Sequence, residues 1–191
     1  MSLQKATLDK DLAKISRLET ATKILSSGLV AHTSALLFLI TAGFIGAFFT
    51  GVETEKAIIV FAAILGGYMA LNIGANDVAN NVGPAVGSKA MSIFAALLMA
   101  AVFESAGALL AGGDVVSTIS KGIIDPELVP NNKMFINAMM AAPMAAAVWV
   151  NLATVLGAPV STTHSIVGGV MGAGIAGGGF GLANGATMSK I

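Results

Sequence analysis

The chain has 191 residues, of which 55% are hydrophobic and only 10% charged. A soluble domain carries about a quarter charged residues, so this chain lacks the polar surface for one, and its mean hydropathy of +0.85 agrees. Zero net charge with a single arginine argues against a nucleic-acid partner. The absence of cysteine excludes disulfides and thiolate chemistry, and two isolated histidines, His32 and His164, do not suggest a zinc site.

Charge is unevenly placed. Eight charged residues fall before Ile24 and none lies between Met134 and Ser189. That long uncharged run is enough for two crossings, since ~20 apolar residues span a bilayer core. The expected fold is all-α: a polytopic membrane protein with about four transmembrane helices plus a re-entrant half-helix. The expected location is a cell membrane, crossed several times.

Residues 1–27 are polar, with Leu8, Leu12, Ile15, Leu18 and Leu25 at mostly helical steps. They read as an amphipathic leader lying on the membrane surface. Its five basic residues against three acidic ones favour a cytoplasmic N-terminus. Residues 28–56 hold a first span, Leu29–Gly51, and a polar loop with Glu53, Glu55 and Lys56. Residues 57–191 carry the rest. Spans are expected over Ala57–Gly74, Ser88–Gly112 and Met134–Leu156, with a connection from Asp114 to Lys133. Ser165–Gly179 is short for a crossing and reads as a half-helix. The Gly-rich stretch to Ile191 looks like the approach to a further helix, so the chain is expected to be a fragment.

Two polar interruptions carry the chemistry. The first contains Asn76, Asp77, Asn80 and Asn81, flanked by Gly74, Gly83 and Pro84. An ionised Asp facing lipid is too costly, so Asp77 must face protein, water or a cation. On a helix Asp77 and Asn81 would share a face. The flanking residues suggest a helix break whose freed carbonyls, beside a carboxylate, would form an oxygen cage for a hard monovalent cation. An interfacial loop would explain the Gly and Pro, but not three Asn beside one Asp.

The second interruption is Gly157-Ala158-Pro159-Val160-Ser161-Thr162-Thr163-His164. A hydroxyl run before a half-helix suits an N-cap. The helix start would then offer unpaired N–H groups and a positive dipole end to an oxyanion such as phosphate or sulfate. A plain N-cap explains the segment equally well. The two interruptions together favour ion-coupled oxyanion transport. Asp77 would repel phosphate directly, so it is expected to act through a bound cation or a shared proton.

Glu104 is the other intramembrane charge, either a proton or cation ligand or a protonated partner of a neighbouring helix. His164 would donate to an anion or cap the half-helix. His32 and Trp149 read as structural, and Lys89 as an interfacial charge. Gly168 and Gly172 form a GxxxG pattern, a weak sign of helix contact.

Gly74–Lys89 (GANDVANNVGPAVGSK), Gly157–Gly169 (GAPVSTTHSIVGG) and Phe103–Gly112 (FESAGALLAG) closely resemble segments of the inorganic phosphate transporter (PiT) family. The resemblance runs from about Ala57 to the C-terminus, and the paired motifs in this order are specific. It implies a secondary transporter coupling phosphate uptake to sodium or protons. It also implies two inverted repeats, each with both motifs, and a midplane site between them.

Carried onto this chain, Ser161, Thr162, Thr163, Asn76 and Asn80 would bind phosphate. Asp77, Asn81 and Glu104 would serve cation coupling, with Asp77 able to hold sodium. No cofactor is expected, and no covalent chemistry, so the protein would not be an enzyme. Its partners would be phosphate, sodium or a proton, the lipid bilayer, and a second repeat or another copy. The chain holds one copy of each motif, and so about one repeat. Asn81 and Pro84 replace a small residue and a Thr found in many members. A sulfate permease of the same architecture and a non-transporting assembly partner are the rival readings.

Overall fold

The computed structural model describes residues 2–51, 55–117 and 131–182, with 119, 122–124 and 129 between the last two. The tail after Leu182, Glu53, and most of the connection before Lys133, including Lys121, Asp125, Pro126, Glu127 and Pro130, lie outside the described residues.

Among the described residues six α-helices follow in order. They are α1 (Ser2–Phe49), α2 (Lys56–Ile73), α3 (Ala79–Gly87), α4 (Ile93–Ser117), α5 (Asn132–Val155) and α6 (Thr162–Gly178), with a π-helical turn, Gly74–Val78, joining α2 to α3. Four stretches are long and apolar enough to cross a membrane: Ser27–Phe49, Lys56–Gly87, Ile93–Ser117 and Asn132–Val155. The four expected spans are therefore present. At 17 residues, α6 rises only ~26 Å, short of a ~30 Å hydrocarbon core.

Two expectations about continuity change. The leader and first span form one uninterrupted helix, α1, rather than a surface helix followed by a crossing. No proline interrupts it, and the lone Gly28 at the junction costs only ~1 kcal/mol in a helix. The break expected at Gly74–Pro84 is likewise absent. Backbone pairing persists through a widened turn, and Pro84 lies inside α3. Pro84 is the sixth residue of α3 and leaves the backbone without one N–H donor there.

Where helices do stop, local chemistry explains it. Lys89 adopts φ 60°, and Lys89 N–H bonds back to the Val86 carbonyl at 3.0 Å, closing α3. The Ser92 hydroxyl accepts from Ala95 N–H at 3.2 Å, starting α4. At the end of α5, Ala158 N–H reaches Ala153 O (2.8 Å) and Gly157 N–H reaches Thr154 O (3.1 Å), while Gly157 takes φ +68°. This is the doubly bonded glycine stop of a Schellman motif. Pro159 prevents renewed helix at once, and Ser161 caps α6. Gly157→Ala is expected to cost about 1–2 kcal/mol by forcing a Cβ into the left-handed region. A thermal melt of the purified variant checks it.

Packing is concentrated on α5. One buried cluster joins Ile123, Ile124, Ala142, Val167 and Val170 across α5, α6 and the connection. A second joins Met69 of α2 to Ala146, Ala147 and Val150 of α5. Most large apolar side chains elsewhere are exposed, including Phe44 and Phe48 of α1 and Leu109 and Leu110 of α4. On a membrane protein such side chains face lipid rather than water.

The backbone approach of α5 and α6 falls at Gly169, and not at the GxxxG pair. Nothing lies within 4 Å of where a Cβ would sit at Gly168 or Gly172. At Gly169 a Cβ would stand 2.6 Å from the Ala142 carbonyl oxygen. Backbone cannot yield as a flexible side chain does, so Gly169→Ala is expected to destabilise the hairpin by about 1–3 kcal/mol. Gly168→Ala is expected to melt like the parent protein, and equal melting of both variants would refute the assignment.

Candidate functional site

The two polar interruptions meet in space. The π turn packs against the α5 end of the α5–α6 hairpin, and residues nearly eighty or more positions apart become hydrogen-bond partners. The signal that places them there is the turn itself. A π turn holds an extra residue, which rotates the following helix relative to the preceding one and is common at functional sites.

Asn76 is buried at the centre of this contact, 6% exposed. Its Nδ2 donates to Thr154 Oγ1 (3.2 Å) and to the Ala158 carbonyl (3.1 Å). Its Oδ1 accepts from Val160 N–H (3.2 Å) and from Asn80 Nδ2 (3.1 Å). An Asn amide has two donors and two acceptor sites, so all four are used within the protein. Asn76 pins the loop that presents the hydroxyl run.

Asp77 is half-buried, and its Oδ2 accepts from the Thr162 hydroxyl at 2.8 Å. The carboxylate of the first interruption thus touches the first residue of α6. Thr162 is buried, whereas Ser161 and Thr163 are exposed at the hairpin tip. The Ser161 hydroxyl accepts from His164 N–H at 3.3 Å, the N-cap bond, and lies 2.7 Å from His164 Nδ1. Asn80 is exposed.

The structure groups the remaining named residues differently. Asn81 and Glu104 line a cavity of about 340 Å³ between α3 and α4, with Met99 and Phe103 on its wall. Asp77 instead bonds across to α6, so the three residues assigned to cation coupling occupy two places. Asn81 and Asp77 part because Asp77 sits within the widened turn and Asn81 beyond it. Lys89 is an exposed helix-ending residue, as its charge suggested.

Two polar residues had gone unmarked. Thr154 donates to Val150 O at 2.8 Å while accepting from Asn76. It sits one helical turn back from the Gly157 stop, and that spacing was its only available signal. Asn72 is 4% exposed and donates to Tyr68 O at 2.8 Å. It precedes Asn76 by four residues, which places both on one helical face.

Among the described residues no cluster of three or more His, Cys, Asp or Glu suits a transition metal. Asp77 and the Thr162 hydroxyl bonded to it put two kinds of oxygen side by side, the ligand type that hard cations take.

The family model of the phosphate transporter family matches residues 73–191, which takes in both interruptions. The chain belongs to the phosphate transporter family. It is 49% identical over 181 residues to a Helicobacter pylori protein named "Putative phosphate permease". That alignment covers 95% of this chain and 34% of the relative, so the N-terminal span lies inside it. A Pyrococcus horikoshii relative of similar name is 45% identical over 133 residues, 70% of this chain and 33% of its own. A solved structure described as "The sodium-dependent phosphate transporter" superposes with a TM-score of 0.66 at 43% identity. It covers 70% of this chain and 33% of that one. The chain therefore spans about a third of the length of these phosphate transporter family relatives. Membership and the four apolar spans make it a multi-pass integral membrane protein.

Proposed function

We propose that this chain supplies one half of the site of an ion-coupled inorganic phosphate transporter, with sodium as the coupling ion. The observation that carries the reading is the bond between Asp77 and Thr162. It brings a carboxylate suited to a cation within one hydrogen bond of a hydroxyl-rich helix start suited to an oxyanion.

That proximity dictates the coupling. A carboxylate and one phosphate charge ~4 Å apart repel by about 4 kcal/mol at an effective dielectric of 20. An empty Asp77 therefore disfavours phosphate, whereas a sodium ion beside it removes the repulsion. Each ligand then raises the other's affinity by the same factor. Ser161, Thr163 and the α6 N–H groups would face the anion. A second repeat or another copy would close the opposite side, and alternating access would move the two around a fixed midplane site.

The test is labelled-phosphate uptake into vesicles containing the native polypeptide, with sodium replaced by choline. Uptake is expected to require sodium and to resist excess sulfate. Preference for sulfate, or equal uptake in choline at fixed pH, would overturn the proposal.

A further inference from the structure

We propose that His164 is a positioning residue whose Nδ1–H turns the Ser161 hydroxyl outward, so that Ser161 can donate to the bound oxyanion. The inference rests on the phosphate reading above and concerns the same hairpin tip.

The argument is one of donor and acceptor count. The Ser161 oxygen has one hydrogen and two lone pairs. One lone pair accepts His164 N–H, the cap of α6. The His164 ring nitrogen Nδ1 lies 2.7 Å from the same oxygen, so a hydrogen must stand between them. If Nδ1 is bare, that hydrogen is the Ser161 hydroxyl's own. Ser161 then has no donor left and presents only lone-pair density to the outside. If Nδ1 carries a proton, it fills the second lone pair, and the Ser161 hydrogen is released to point at a ligand.

An unprotonated phosphate oxygen accepts hydrogen bonds and offers none. It is repelled by the first arrangement and held by the second. Binding therefore selects the Nδ1–H form of His164, whether neutral tautomer or imidazolium. Ser165 does not compete, because its hydroxyl is bonded to the Ser161 carbonyl at 2.8 Å. Thr162 does not compete either, because its hydroxyl is given to Asp77. Of the three consecutive hydroxyls, Ser161 is the one whose direction a neighbouring ring decides. Both groups are exposed at the tip, where a ligand can reach them.

The experiment compares phosphate uptake by the native polypeptide with that of His164→Leu and His164→Asn. An Asn amide nitrogen can occupy the Nδ1 position and donate. His164→Leu leaves the Ser161 hydroxyl free to rotate rather than directed outward, so it is expected to raise the phosphate KM severalfold, with Vmax retained. His164→Asn is expected to restore the KM.

A 15N spectrum of the histidine ring adds a direct readout. The signal that His164→Asn removes is expected to report a protonated Nδ1 once inorganic phosphate is added. A bare Nδ1 in the phosphate-bound protein would overturn the inference. So would a normal KM for His164→Leu, or equal losses in His164→Leu and His164→Asn. Failure of the parent protein to take up phosphate would instead strike the functional reading on which this one rests.

Discussion

An Asn76→Leu substitution is expected to abolish phosphate uptake and to lower the melting temperature in the same protein. Leucine keeps the bulk but makes none of the four hydrogen bonds. Asn80 is exposed and recovers water, and Thr154 keeps its bond to the Val150 carbonyl. The Val160 N–H and the Ala158 carbonyl, both half-buried, lose their Asn76 partner. Each buried polar group left unmade costs ~1–3 kcal/mol, so the total is about 2–6 kcal/mol. Loss of uptake follows because those two backbone groups lie in the loop that carries Ser161. Asn76→Asp is expected to be no milder, since it removes both donors and sets a second negative charge beside Asp77. Thermal melts in detergent and uptake in vesicles check both. An Asn76→Leu protein that melts like its parent would show that the loop is held by other means.

Asp77→Asn is expected to lower sodium-dependent phosphate uptake at least 100-fold while leaving the melting temperature nearly unchanged. The amide oxygen can still accept from Thr162, so the hairpin stays docked, but the charge that attracts the cation is gone. Thr162→Val tests the same bond from the other side. It removes the donor and retains the shape, and a charge-assisted bond of ~1.5–3 kcal/mol translates into a roughly 10- to 100-fold loss. Thr162→Ser should recover most of it. Sodium-dependent uptake by Asp77→Asn at the parent rate would sink the coupling scheme.

The spans were legible because a bilayer imposes a length and an apolar composition, and Leu29–Gly51, Ala57–Gly74, Ser88–Gly112 and Met134–Leu156 satisfied both. The stop at Gly157 and the cap at Ser161 were legible because glycine, proline and hydroxyl residues act within a few positions of themselves. The state of Gly74–Pro84 was not. Glycine and proline beside polar residues describe a broken helix and a widened one equally well, and the choice between them is made by tertiary partners. Those partners are Thr154, Ala158, Val160 and Thr162, 78 to 85 residues away, and no local pattern reports a pairing at that separation. Thr154 illustrates the point, since a threonine closing an apolar run ordinarily bonds its own helix. The continuity of α1 was hidden for the opposite reason. A change from polar to apolar composition marks where the environment changes, and the backbone need not change with it.

The close approach of Gly169 to the Ala142 carbonyl bears on how force would travel through the hairpin. Two helices that touch backbone to backbone resist sliding at that point, and further out the side chains of Ile124 and Met134 close against Gly174 and Gly177. The α5–α6 pair is therefore stiff in the manner of a rocker arm. A push at its outer end, near Met134, is expected to move the pair, and Ser161 with it, as one piece. The compliance of the assembly lies at the joint with the π turn, where three hydrogen bonds from the hairpin to one asparagine replace interlocked backbone.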